Sequence, residues 1–344
     1  MERVGSVRFY CVTLLFLEST RQTLVVRLIL PKIGLILMQL HSSSGRWRLG
    51  LALSLVTVFL WGILPIALTV TLQALDVYTV TWFRFLVSFG LLGIYLAARK
   101  QLPSVEKLKT TPIGLLAIAI LFLAANYILF LQGLQLTSPA NTQVLIQMAP
   151  VLMGLGGLAI FKERYTLRQW IGLAILTLGF ALFFHEQLTN LITAQGKYLI
   201  GCGLIVLAAI TWAIYALAQK QLLQKLPSSN IMLLIYGGCA ILFTPFITPQ
   251  PILTLNPLHL GMLLFCALNT VIAYGAFAES LEHWEASRVS AVLAITPIVT
   301  LISVSAVAVF LPSLIAPEKL TILGIFGAIS VVSGSIAIAL GKSR

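Results

Sequence analysis

From residue 50 onward, apolar stretches about a bilayer thick recur along the chain, separated by short polar breaks. Ten stand out, near 50–72, 77–97, 113–133, 140–160, 167–184, 198–218, 231–248, 258–278, 289–311 and 321–340. Each is close to the roughly 17–25 residues that a helix needs to cross hydrocarbon. A membrane barrel would show alternating segments of about ten residues, and the runs do not alternate. In lipid, a lone segment satisfies its backbone N–H and C=O groups only as a helix. The pattern therefore predicts an all-α polytopic membrane protein with ten transmembrane helices.

Composition agrees. Of 344 residues, 59% are hydrophobic and 9% charged, against roughly 25% charged in soluble domains. This argues against a soluble enzyme, a nucleic-acid binder or a disordered chain. The net charge of +12 reflects where basic residues collect. If Arg46 and Arg48 are cytoplasmic, so are Arg99, Lys100, Lys107, Lys109, Lys162, Arg164, Arg168, Lys220, Lys225, Arg288, Lys342 and Arg344, leaving only Lys197 and Lys319 in the opposite links. That asymmetry predicts both termini in the cytoplasm of a multi-pass protein of the plasma membrane.

Residues 1–49 form a cytoplasmic leader. Within it, residues 1–37 are too interrupted by charge to span, and we expect them to be dispensable, with Met38 as the working start; an amphipathic surface segment is the alternative. Cys11, Cys202, Cys239 and Cys266 are far apart and suit small buried hydrophobes.

The rest divides into two related halves, 50–184 and 198–341. Trp61 corresponds to Trp212, and Ala149-Pro150 to Thr296-Pro297. Glu163, Gly172 and Gly179 correspond to Glu318, Gly327 and Gly334. With five runs per half, the halves enter the membrane in opposite senses, an inverted-topology repeat. Trp61-Gly62 with Pro65, Arg84, Leu134 to Pro150, and the second-half set Tyr274, Ala286-Ser287, Pro297, Glu318, Gly327 and Gly334 resemble the EamA-like group of the drug/metabolite transporter superfamily. Lys162 and Pro317 depart from its pattern, standing where a Gly usually precedes the Glu. The resemblance implies two five-helix repeats, export or exchange of small metabolites, and a central pathway walled by the third, fourth, eighth and ninth helices.

Candidate chemistry is sparse. The four His residues lie in links or at helix ends, and no spacing of His, Cys or Glu builds a metal site. Gly341-Lys342-Ser343 imitates the end of a phosphate loop without its earlier Gly. We expect no enzyme, no catalytic residue, no cofactor and no metal. Polar residues inside the runs remain. Arg84 lies seven residues into the second run, where burying a charge costs about 2.5–3.5 kcal/mol. It is either a fixed charge for an anionic solute or a structural arginine reaching the interface. Gln143 and Gln147 share a helix face, Asn126 and Tyr127 are mid-run, Asn269 and Tyr274 neighbour Thr270, and Thr296 precedes Pro297. These are substrate-binding candidates, with interhelical hydrogen bonding as the other reading.

The expected function is a secondary, gradient-driven transporter that exports or exchanges a small organic solute by alternating access. The alternatives are a nucleotide-sugar or lipid-linked sugar carrier and a non-transporting membrane protein. The expected partners are the solute and the lipid bilayer, with no nucleic acid; oligomeric state is left open.

Overall fold

The computed structural model describes residues 43–161, 164–193, 196–310 and 322–339. The expected leader 1–37 and the matched pair Glu163 and Glu318 lie outside the described residues. Every regular element described is helical: α1 (Trp47–Thr71), α2 (Val77–Ala98), α3 (Val105–Thr110), α4 (Ile113–Leu136), α5 (Pro139–Leu145), α6 (Met148–Phe161), α7 (Leu167–Thr193), α8 (Gly196–Leu222), α9 (Ser228–Phe243), α10 (Pro257–His283), α11 (Ala286–Leu293), α12 (Thr296–Phe310) and α13 (Ile322–Ala339).

Eight helical stretches among the described residues are long and apolar enough to cross a membrane, and this is a multi-pass membrane protein. Two further apolar stretches, Leu167–Leu182 and Ile322–Ile338, are shorter. The fourth and ninth runs differ from expectation. Each is two helices, α5 with α6 and α11 with α12, parted by a two-residue turn.

Helix pairing follows the sequence repeat. The repeat equates α1 with α8, α4 with α10 and α6 with α12. Helix α1 packs on α10 and α4 on α8; α12 lies on α1 and α6 on α8. Each contact maps onto its equivalent in the other half. Helices α7 and α13, themselves equivalent, pack on each other. Their matched glycines explain how. A Cβ on Gly172 would lie 2.9 Å from the Gly334 carbonyl oxygen, and one on Gly179 would lie 2.6 Å from the Val331 nitrogen and 2.9 Å from the Gly327 carbonyl. Backbone meets backbone in an antiparallel crossing that admits no side chain. Gly179→Ala should therefore destabilise the protein by about 1–3 kcal/mol, the usual cost of overpacking. Gly90→Ala, where the added carbon meets nothing within 4 Å, should not. Thermal unfolding in detergent compares the two, and equal midpoints would refute the crossing.

At the start of α2, Asp76 caps the helix, accepting from the backbone N–H groups of Tyr78 and Thr79, both at 2.9 Å. Its other oxygen accepts from the Thr248 hydroxyl at 2.7 Å, tying the start of α2 to the segment after α9. Partial burial pushes this carboxyl up, but the hydrogen bonds from Thr79, Thr248 and the backbone outweigh it and hold Asp76 below the ordinary carboxylate range.

Candidate functional site

The two broken helices owe their turns to proline. Proline has no N–H to reach back four residues, and its ring crowds the carbonyl there. For Pro150 that carbonyl belongs to Ile146, which instead accepts from the Ala149 N–H at 2.8 Å. For Pro297 it belongs to Leu293, which accepts from the Thr296 hydroxyl at 2.6 Å. The turns at 146–147 and 294–295 fall just before the two prolines.

Between these turns lies a cavity of about 80 Å³. Its apolar wall includes Leu64, Leu68, Phe130, Leu131, Ile146 and Leu293; Trp61, Tyr127, Trp212 and Tyr274 supply aromatic rings; Arg84, Asn126, Gln143, Gln147 and Thr296 supply polar groups. Seven of the eight residues singled out from the sequence thus meet at one place: Arg84, Asn126, Tyr127, Gln143, Gln147, Tyr274 and Thr296.

Trp61 stands between the two halves. Its ring centroid is 5.6 Å from that of Trp212, 4.8 Å from Tyr274 and 5.5 Å from Phe277. Pro65, one turn later, cannot bond the Trp61 carbonyl, and the carbonyls on either side are held by other helices. The Thr300 hydroxyl donates to Gly62 at 2.7 Å and the Asn269 amide to Leu60 at 2.6 Å. The indole is therefore fixed in position, yet its Nε1–H is buried with no acceptor. Oε1 of Gln147 is likewise buried without a donor. Such orphaned groups are rare, each costing about 1–3 kcal/mol.

Arg84 is 2% exposed and does not reach the interface. Its Nε donates to the Thr270 hydroxyl at 2.9 Å and to the Cys266 carbonyl at 3.3 Å. The guanidinium lies 4.5 Å from the centroid of the Tyr127 ring, a cation–π contact worth about 2 kcal/mol when desolvated. Its two terminal nitrogens form no hydrogen bond to any described residue, and no described carboxylate pairs with it. These contacts hold the charge in place and leave its binding fork unused.

Asn269, the eighth candidate, is not among the residues around the cavity. Its amide spans the α1–α10 contact to Leu60. Asn126 makes the matching bond in the other half, to the Ala208 carbonyl at 2.9 Å across α4 and α8, but also borders the cavity. Glu279 is not paired with Arg288, which bonds Glu285 at 2.6 Å. It accepts from the Ser228 hydroxyl and approaches His283. From the sequence, Trp61 and Trp212 are as readily packing residues as substrate-stacking ones; in the structure both border the cavity. Their equivalence in the repeat was the available signal, since two matched tryptophans on opposite halves can meet on the pseudo-symmetry axis.

Comparisons with known proteins agree with this architecture. The profile of the EamA-like transporter family matches twice, over residues 48–185 and 199–340, so the internal repeat belongs to the family. An uncharacterized transporter of Haemophilus influenzae is 36% identical over 293 residues, covering 85% of this chain and 95% of that one. The inner membrane transporter YhbE of Escherichia coli K12 is 37% identical over 294 residues, covering 85% and 92%. A probable amino-acid metabolite efflux pump of Salmonella typhimurium is 23% identical, covering 82% and 92%. One protein of known crystal structure superposes with a TM-score of 0.63 over 85% of this chain and 97% of its own, at 16% identity, which shows the fold alone. With a repeated helical architecture, a cavity lined from both halves and these matches over nearly all of residues 48–340, the chain belongs to the EamA-like transporter family and is a membrane transporter.

Proposed function

We propose that the protein is a secondary transporter that exports or exchanges a small organic solute bearing an anionic group, by alternating access. One observation carries the reading: Arg84, buried beside the cavity, with both terminal nitrogens unpartnered and no described carboxylate to neutralise it. A fixed guanidinium of this kind favours a carboxylate or phosphate, which it can grip with two parallel bonds. Gln147 Oε1 and Trp61 Nε1 offer an acceptor and a donor to the rest of the solute, and the aromatic rings take its apolar part. The name of the Salmonella relative, an amino-acid metabolite efflux pump, fits a solute of this size and charge. A nucleotide-sugar would call for several cations, whereas Arg84 is the only Lys or Arg among the residues around the cavity.

Ten spans complete the reading, with the shorter stretches of α7 and α13 as the fifth and tenth. The two five-helix repeats, 50–184 and 198–341, then cross the plasma membrane in opposite senses with both termini in the cytoplasm. The basic residues of alternate links support that orientation. The antiparallel, mutually equivalent crossing of α7 and α13 supports opposed halves. The test is flux in everted vesicles across a panel of small carboxylates, organic phosphates, amino acids and neutral analogues. Gradient-dependent movement of an anionic or zwitterionic member, absent from vesicles lacking the protein, is the expected result. Movement of only neutral or cationic members would overturn the solute class.

A further inference from the structure

Gln219 is fully buried in the last turn of α8, yet neither Oε1 nor Nε2 of its amide has a hydrogen-bond partner. Nearly all buried polar groups in folded proteins are satisfied, and an amide brings both donors and acceptors to satisfy. One turn nearer the middle of the helix, Tyr215 is equally buried. Its hydroxyl donates only to the Met232 sulfur, a weak acceptor, at 3.6 Å. Trp212, Tyr215 and Gln219 recur at helical spacing and share one face of α8. Trp212 borders the cavity, whereas Tyr215 and Gln219 do not.

The internal repeat gives this stripe a counterpart. Laid on each other at Trp61 and Trp212, α1 and α8 end together, at Thr71 and Leu222. Tyr215 and Gln219 then fall on Leu64 and Leu68. Trp61, Leu64 and Leu68 all border the cavity, which follows α1 from the tryptophan toward the end of the helix. The α8 stripe leaves the same tryptophan pair but is packed shut. The Phe277 ring lies 5.5 Å from Trp61, 5.1 Å from Trp212 and 6.5 Å from Tyr215, centroid to centroid. The two stripes also differ in chemistry, two leucines on α1 against a phenol and an amide on α8. In a sealed interior a leucine would avoid the orphaned amide, so the amide is useful only in a state that gives it a partner.

We propose that Gln219 binds the solute on its way to the membrane face at which α8 ends, a further polar station beyond Arg84 and Gln147. The proposal rests on the alternating-access reading above and on the opposed insertion of the two halves, which puts the ends of α1 and α8 at opposite faces. In the state described, open space follows the α1 stripe and the Gln219 amide is sealed. In the opposite state, open space follows the α8 stripe, and the amide offers an acceptor and a donor to polar groups of the solute.

The test keeps the full chain in right-side-out and everted vesicles, with the unsubstituted chain as baseline. A membrane-impermeant maleimide should modify Gln219→Cys only from the face at which α8 ends, and Leu68→Cys only from the opposite face. No reaction of Gln219→Cys from either face, or reaction of both cysteines from one face, would overturn the path. Flux of the panel members that the unsubstituted chain moves then tests the amide itself. Offered at the face where α8 ends, they should need about five- to tenfold more solute for half-maximal flux in Gln219→Leu, the loss of one hydrogen bond. Offered at the other face, they should show little change, and Gln219→Asn, which keeps an amide, should shift less than Gln219→Leu. An equal shift at both faces, or none, would make Gln219 a packing residue. The labelling needs no solute, so a chain that moved no panel member would fail the transport reading while the maleimide result still decided the path.

Discussion

Replacing Arg84 by Gln should raise the solute concentration for half-maximal flux by about 10- to 100-fold at unchanged membrane abundance. A hydrogen bond to a charged group contributes about 1.5–3 kcal/mol, and each 1.4 kcal/mol is about a tenfold change in affinity. Folding should survive, because a neutral amide removes the cost of burying a charge and can still reach the Thr270 hydroxyl and the Cys266 carbonyl, the two groups that Arg84 now bonds. Arg84→Lys should recover little. Lysine keeps the charge but lacks Nε, so it loses both the anchoring bonds and the planar fork. Initial rates in everted vesicles check both variants. Wild-type concentration dependence in Arg84→Gln would return this residue to a structural role and remove the basis for an anionic solute.

Gln147 and Asn269 should respond differently to the same change. Both are buried amides on broken or paired helices of opposite halves, and from the sequence they are equivalent candidates. In the structure, the Oε1 of Gln147 is unpartnered beside the cavity, whereas Asn269, whose Oδ1 is also unpartnered, lies away from the cavity and gives its Nδ2 to Leu60. Gln147→Leu should leave the unfolding midpoint in detergent within a degree or two and weaken solute binding by about 1–3 kcal/mol, as a polar group of the solute loses its partner. That corresponds to about a 5- to 150-fold loss of affinity. Asn269→Leu should lower the midpoint by removing an interhelical bond, worth about 0.6 kcal/mol on average in membranes, and leave affinity nearly unchanged. Equal loss of affinity in both variants would mean that the solute reaches Asn269 and that the cavity extends further between α1 and α10.

Arg84 shows why such distinctions escape a sequence reading. Its depth in the second run was countable, and the cost of a charge at that depth made it a candidate. Whether it pairs, snorkels or waits for a ligand depends on Thr270 and Cys266, 186 and 182 residues away in the chain. No local pattern records such a contact. Asn269 and Asn126 make the same point in reverse. Both form one amide-to-carbonyl bond across matched helix pairs, but only the second also faces open space.

By itself, the sequence determined that the chain is helical and membrane-spanning, where its apolar runs lie, and that its halves are related. Each of these follows from physics that acts along the chain. Hydrocarbon demands uninterrupted apolar length and internally bonded backbone, and Pro150 and Pro297 weaken a helix wherever they stand. The glycine matches at 172 with 327 and 179 with 334 were also legible, though not their use as an antiparallel crossing of α7 on α13. Only the tertiary structure decided which polar residues share a cavity, which amide bridges two helices away from it, and that two matched tryptophans meet at the centre. In a chain with so few charges, nearly every helix face is apolar, so hydrophobic periodicity cannot tell the face that meets lipid from the face that meets another helix. Close packing between distant helices makes that choice, because glycine crossings and interhelical hydrogen bonds form only in one arrangement.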